Sequence, residues 1–235
     1  MSEINKSDVY GQALKEYSEQ REESKLWLNT SYGDPEEMPV WYFFREYDEM
    51  PAMEKMALSI CEGRVLDVGA GTGSHAICLQ QLQLEVVAID ASATSVEVMK
   101  ASNVHDSRTQ DYFDFTNEKF DTLLCLMNGL GFIGKLARLE EFLKKAEELL
   151  NPEGQIIVDT SDVSYLFEDG ELPTQHYYGE VSFQYQYKGK KGPWFDWVYV
   201  DKETLSEKCD ALGWNVQILT EDENGQYLAR LTKSI

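Results

Sequence analysis

Three glycines at alternate positions, Gly69, Gly71 and Gly73, directly follow an apolar run, Arg64–Val68, that carries one aspartate, Asp67. A helical pattern, SHAICLQQLQL, starts at once at Ser74. The succession is a strand, a glycine-rich turn and a helix start. Glycine has no Cβ, so another molecule can approach the backbone of such a turn closely. The free N–H groups of a helix start favour an electron-rich ligand group. The segment therefore predicts a site for a small-molecule cofactor. Proton-moving side chains are scarce, with three histidines in the chain. His75 lies just inside the cofactor helix and His105 in a weak strand. His176, in QHYYGE, belongs to a segment expected at the carboxyl side of the sheet, where ligands bind. The four cysteines, Cys61, Cys78, Cys125 and Cys209, form no CxxC pair, so neither a zinc site nor a redox dithiol is indicated and no metal is expected.

The elements that must position these residues alternate from Arg64 onward. Strand RVLDVG leads to a helix over 74–84, and strand Glu85–Asp90 to a helix over 93–102 with Ser92 as its N-cap. A weak strand near 103–109, a strand over Asp121–Met127 and a helix over 136–150 follow. Asn151-Pro152-Glu153-Gly154 then turns into strand Gln155–Thr160. Near-continuous apolar strands separated by helices predict a doubly wound, mostly parallel α/β sheet with helices on both faces. Residues 161–200 break the alternation: GEVSFQYQY and PWFDWVYV flank Lys188–Gly192 and read as an inserted β-hairpin with a basic, solvated tip. A helix over 202–212 and two strands, Trp214–Leu219 and Gln226–Thr232, joined by an acidic turn, close the chain as an antiparallel pair. Before all this, residues 1–50 are rich in Glu, Tyr and Trp, with weak helical periodicity over 7–27 and the cluster VWYFFREY, and form a helical and aromatic cap segment. Residues 51–235, opening with a helix near 51–62, form the main domain.

Composition narrows the partners. A net charge of −21 repels phosphate backbones, which argues against nucleic acid. No run approaches the roughly 20 apolar residues of a membrane helix, and the first residues lack a signal-type apolar stretch. Free thiols that act as small hydrophobes fit a reducing cytoplasm. A soluble cytoplasmic protein, monomeric or homodimeric, is the expectation.

A nicotinamide fingerprint, G-x-G-x-x-G, would put its third glycine at Ser74 rather than at Gly73. Asp67-x-Gly-x-Gly-x-Gly instead resembles the first motif of class I S-adenosylmethionine-dependent methyltransferases. The resemblance continues to Asp90, 23 residues after Asp67 at the end of the second strand, where the family holds the ribose hydroxyls. It extends to Asp111 and Tyr112 near the adenine, to Met127, Asn128 and Gly129 after the fourth strand, and to the closing antiparallel hairpin. It implies a Rossmann-like, seven-stranded sheet with an antiparallel last strand. It also implies S-adenosyl-L-methionine as cofactor, S-adenosyl-L-homocysteine as product, and Asp67, Gly69, Ala70, Gly71, Gly73, Asp90, Ala91, Asp111, Tyr112 and Met127 around it. Asn128 and His176 are the candidates for orienting or deprotonating a nucleophile, and Tyr42, Tyr178 and Trp194 the candidates for facing a small-molecule methyl acceptor. The aromatic hairpin suits either a lid over the site or a dimer interface. A protein methyltransferase, a cofactor-binding regulator without transfer activity and a nicotinamide-dependent oxidoreductase are the alternatives.

Overall fold

The computed structural model describes residues 8–21, 25–167 and 172–234. In chain order the elements are α1 (Val9–Gln20), β1 (Lys25–Thr30), β2 (Glu36–Pro39), α2 (Ala52–Ser59), β3 (Arg64–Val68), α3 (Ser74–Gln81), β4 (Glu85–Asp90), α4 (Ala93–Ala101), β5 (Ser107–Thr109) and β6 (Phe120–Cys125). They continue with α5 (Leu139–Leu149), β7 (Leu150–Ser161), β8 (Glu180–Tyr187), β9 (Lys190–Lys191), β10 (Phe195–Val198), α6 (Lys202–Ala211), β11 (Trp214–Glu221) and β12 (Gln226–Lys233). Among the described residues no helix is long and apolar enough to cross a membrane.

The seven-stranded sheet runs β11-β12-β7-β6-β3-β4-β5. Strands β5, β4, β3, β6 and β7 are parallel, and β12 is antiparallel to both its neighbours, β7 and β11. The doubly wound sheet with an antiparallel last strand is therefore present. Strand β3 shows why its sequence is apolar throughout. Leu66 and Val68 enter the core beside α5 and α6, and Val65 enters the core beside α2, α3 and α4. A strand buried on both faces has no solvent face to make polar. The Asn151–Gly154 turn appears as a bulge inside β7, where the partner of β6 jumps from Leu150 opposite Phe120 to Gln155 opposite Thr122. All four cysteines are free, and three of them are buried.

The second sheet joins two regions that the sequence keeps apart. Its order is β10-β8-β1-β2, with β9 also pairing with β8. Residues 25–39, expected as part of a helical and aromatic segment, form the hairpin β1-β2, and β1 pairs antiparallel with β8 from Leu26↔Tyr187 to Thr30↔Phe183. The inserted hairpin is present, but β8 is covered by β1 on one side and β10 on the other. Helix α1 packs beneath this sheet: Val9, Ala13, Leu14, Leu26 and Tyr187 share one core with Val98 of α4. The basic tip is not simply solvated, because Lys188 and the Tyr187 hydroxyl both engage Glu16 of α1. We refer to this sheet and α1 as the roof.

The roof is locked where the chain returns from β10. Tyr199 N donates to the Gly179 carbonyl at 2.9 Å, and a Cβ on Gly179 would lie 1.9 Å from the Tyr199 carbonyl oxygen. A backbone atom cannot swing aside as a side-chain end can. Gly179→Ala is therefore expected to destabilise the protein by about 1–3 kcal/mol, as overpacking does. In a thermal melt followed by circular dichroism this corresponds to a drop of about 2–10 °C in Tm for a chain of this size. An unchanged Tm would show that the roof is not locked at this crossing.

Candidate active site

The parallel strands end beneath the roof, and two adjoining cavities lie between their carboxyl ends and the roof. One, of about 500 Å³, is lined by Asp90, Ala91, Gln110, Asp111, Tyr112 and Phe132 among others. The other, of about 330 Å³, is lined by Asp67, Ala70, Gly71, Met127, Asn128 and Tyr42 among others. Gly69, Val68, Tyr10, Tyr185, Phe195 and Trp197 belong to both. The cavities follow the strand order: Asp67 is the penultimate residue of β3 and Asp90 ends β4. They sit beside the point where the sheet order reverses between β3 and β6, the position at which doubly wound sheets bind ligands.

The glycine turn is built by backbone hydrogen bonds. Gly69 N and Ala70 N both donate to the Ile89 carbonyl, at 2.9 and 3.0 Å. Gly69 (φ +71°) and Gly71 (φ +57°) adopt left-handed conformations that glycine tolerates without strain. A Cβ on Gly69 would meet nothing within 4 Å and would occupy cavity space, so this glycine keeps the backbone open to a ligand. Gly73 does something else. It lines neither cavity, and a Cβ there would lie 2.5 Å from Val104, so it lets α3 pack closely against the segment after α4. The Phe43 carbonyl accepts from the Ser74 hydroxyl at 2.7 Å, tying the turn to the 40–44 segment.

Asp90 accepts from Gly71 N at 2.9 Å on one oxygen and from Ser92 N at 2.8 Å on the other. Ser92 caps α4 through Ser95 N, as its sequence position predicts, and its hydroxyl also donates to Asp8, the N-cap of α1. One carboxylate thus links the glycine turn, two helix starts and the roof. Asp67 is buried, and its Oδ2 has no hydrogen-bond partner. Burial pushes the carboxyls of Asp67 and Asp90 up to about 6. Two buried carboxylates, one with an orphaned oxygen, beside an open glycine cradle, fit a ligand that carries a cationic group and vicinal hydroxyls.

Strand β6 ends in an unusual turn. Met127 (φ 66°) and Asn128 (φ 55°) both lie in the left-handed region, a rare arrangement for two consecutive residues with side chains. Asp159, at the adjacent end of β7, holds this turn: one oxygen accepts from Gly129 N at 3.1 Å, and the other accepts from Gln226 Nε2 at 2.6 Å. Burial raises the Asp159 carboxyl to about 6, against the lowering effect of these donors and of Asn128 N. Asn128 faces the smaller cavity, with its side-chain oxygen accepting from Ser161 Oγ at 2.6 Å.

Several residues lie elsewhere than the sequence placed them. His176 is exposed and lines neither cavity. Tyr178 directs its hydroxyl to Asp162 and Asp201 at 2.9 and 3.1 Å, away from both cavities, and Trp194 is 53% exposed. Their places are taken by Tyr185 on β8 and by Phe195 and Trp197 on β10. Side chains alternate along a strand, so Phe195 and Trp197 share the inward face, while Trp194 precedes the strand. Tyr10 of α1 stacks on Tyr185 (4.9 Å, 26°), and Tyr185 stacks on Phe195 (5.1 Å, 27°). These three rings form a column between the cavities. Tyr42 lines the smaller cavity as expected, with the Arg45 guanidinium 3.5 Å from its ring centroid. Arg45 in turn donates to both oxygens of Glu54, at 2.7 and 3.0 Å, and Glu54 bonds His75 Nε2 at 2.9 Å. Burial opposes charge on His75, but the Glu54 hydrogen bond and nearby Asp67 outweigh it and raise its pKa. Arg45, Glu54, Asp159 and Gln226 carry no local sequence signal, since each acquires its meaning only from a partner distant in the chain.

Three comparisons bear on this geometry. A family model described as a methyltransferase domain matches residues 65–154. The ubiquinone biosynthesis O-methyltransferase of Chelativorans sp. (strain BNC1) is 32% identical over 104 residues, 41% of this chain and 40% of that protein. The glycine/sarcosine N-methyltransferase of Halorhodospira halochloris is 25% identical over 127 residues, 49% and 46% of the two chains. The chain thus spans less than half the length of these two curated relatives. Much wider is the likeness to the crystal structure of a SAM-dependent methyltransferase from Bacteroides fragilis, solved in complex with S-adenosyl-L-homocysteine. That protein is 42% identical, with a TM-score of 0.91 over 97% of this chain and 96% of the other. Identity at this level, carried from end to end rather than over the glycine motif alone, decides the matter: the chain belongs to the S-adenosylmethionine-dependent methyltransferase family.

Proposed function

We propose that this chain transfers the methyl group of S-adenosylmethionine to a small-molecule acceptor by in-line displacement. The observation that carries this reading is the pair of adjoining cavities. The larger runs from Asp111 to Asp90, the smaller begins at Asp67, and the aromatic roof covers their junction. The cofactor, when bound, supplies a methyl group made electrophilic by its sulfonium.

The residues present fit that group. Asp111 stands at the adenine end of the larger cavity, and Asp90 has lone pairs left for the ribose hydroxyls beyond its two backbone donors. The orphaned Asp67 Oδ2 is an acceptor for the methionine ammonium. Met127 and Asn128, held in their left-handed turn by Asp159, form the wall where the smaller cavity meets β6. The roof excludes water from the junction, so positioning and desolvation supply the rate enhancement. His75 Nε2 is engaged by Glu54, which is itself held by Arg45, so this ring is not free to act as a general base. A chamber of about 330 Å³ beneath the roof suits a small acceptor better than a polypeptide.

Three outcomes test this reading. Calorimetry is expected to show binding of S-adenosylmethionine and none of NAD, and Asp90→Ala is expected to weaken the former by about tenfold or more, the scale of one charge-assisted hydrogen bond. Unchanged affinity in that variant would move the ribose site elsewhere. The pH profile has a definite sign. Protonated Asp67 cannot pair with an ammonium, so affinity should fall as pH drops through about 6. It should fall again above about pH 8, where an α-amino group loses its proton. A flat profile from pH 5 to 9 would remove Asp67 from the site. Finally, the folded-state pKa of Asp67, about 6, lies above its ordinary 3.8, so its favourable contribution to stability is present below 3.8 and lost as pH rises through 6. At pH 8 Asp67→Asn should therefore stabilise the ligand-free protein, by about 1–3 kcal/mol, while weakening cofactor binding. A loss of both in thermal melts and calorimetry would make Asp67 a structural group.

A further inference from the structure

We infer that the acceptor is an amine carried on an apolar or ring-bearing body without negative charge, and that Gln226 is a specificity-determining residue that receives its N–H. The inference rests on the proposed transfer site and narrows its substrate.

The first argument is charge. Among the described residues lining the two cavities there is no lysine or arginine. The nearby guanidinium of Arg45 is neutralised in place, stacked on Tyr42 and bound to both oxygens of Glu54. An acceptor bearing a carboxylate or phosphate would find no lysine or arginine facing it there, and the imidazole on the wall, His75, is already engaged by Glu54, so the anion would be poorly paired, which burial disfavours. The aromatic wall of Tyr185, Phe195 and Trp197 favours the opposite: apolar rings and cations, which aromatic faces attract.

The second argument is the nucleophile. An alcohol presents almost no alkoxide near neutral pH and needs a base, whereas an ammonium gives its proton to solvent and attacks through the lone pair of its neutral form. The side chains that line the smaller cavity offer no free base. His75 is bonded to Glu54, which is also held by Arg45. Burial holds the phenols of Tyr10, Tyr185 and Tyr199 in their protonated form. Asp67 is the counter-ion of the cofactor's own ammonium in the proposed site. For an amine the step balances without help: the nitrogen lone pair forms the N–CH₃ bond as the S–CH₃ bond breaks, the electron pair returns to sulfur, and the product ammonium releases its extra proton to solvent.

The third argument is the orientation of Gln226. Its amide nitrogen donates to the Asp159 carboxylate at 2.6 Å, and an ionised carboxylate only accepts. The other amide atom is therefore fixed as a carbonyl oxygen, and Gln226 lines the smaller cavity. That oxygen is an acceptor with a set direction. It serves an N–H or O–H donor and offers nothing to a carboxylate.

The test uses the full chain loaded with S-adenosylhomocysteine and three probes on one skeleton: 2-phenylethylamine, 2-phenylethanol and 3-phenylpropanoate. Calorimetry is expected to show the amine binding about tenfold or more tighter than either other probe. In Gln226→Leu the amine should lose about tenfold in affinity, one hydrogen bond's worth, and S-adenosylhomocysteine affinity, measured alongside, should fall by less. Trp197→Leu, which removes part of the aromatic wall, should also weaken the amine. Propanoate or alcohol binding as tightly as the amine, or no binding of any probe by the loaded protein, overturns the inference and leaves the transfer site standing. Failure to take up S-adenosylhomocysteine at all overturns the site and the inference together.

Discussion

The cost of burying carboxylates at the ends of parallel strands organises this molecule. Asp67, Asp90 and Asp159 stand at or near the carboxyl ends of β3, β4 and β7, and burial raises all three to about 6. Each can remain there only because donors converge on it or a ligand completes it. Asp90 draws in Gly71 and Ser92, and Asp159 draws in Gly129 and Gln226. The glycine turn, the left-handed Met127–Asn128 corner and the start of the last strand therefore take their shapes from these charges. Asp67 is the exception, with an oxygen left unsatisfied.

The roof solves a second problem. Strand ends that bind ligands face solvent in an open α/β sheet, and water weakens every electrostatic contact made there. Here the cover comes from two segments, neither of which forms a sheet alone. The hairpin β1-β2 and the hairpin β8-β10 combine into one sheet, and α1 anchors it to α4. The column Tyr10–Tyr185–Phe195 joins residues from a helix and two strands at the junction of the cavities. The cover and the wall of the site are thus one structure.

The parallel core and its cofactor edge were legible in the sequence because their signals are local. Asp67, the glycines and Asp90 fall at fixed spacing on strands whose apolar runs are continuous. The antiparallel closing pair was legible from its short acidic turn. The roof was not, because its strands are defined by pairing across the chain: Leu26 and Leu28 alternate as a strand should, yet β1 has its partner in β8. Register set at such distance also decides which aromatic residues face the site. Tyr178 and Trp194 were plausible on composition, and the pleat turns Tyr185, Phe195 and Trp197 toward the cavities instead. His75 illustrates the same limit, since Glu54 and Arg45, which define its proton, come from a helix and a turn with no motif.

The pairing of β1 with β8 carries a consequence for how the molecule is held together. Asn29 hydrogen-bonds to Gln184, 155 residues away, so the roof closes one of the longest loops in the chain. Closure of that kind is entropically costly and comes after the parallel core has brought its ends near. The roof therefore depends for its stability on the parallel core beneath it and on the packing of α1 against α4. A ligand seated beneath it, touching Gly69 on one side and the aromatic column on the other, adds its binding free energy to that pairing. In the proposed site, the chamber and its contents would then support each other: the roof is held most firmly when the space beneath it is filled.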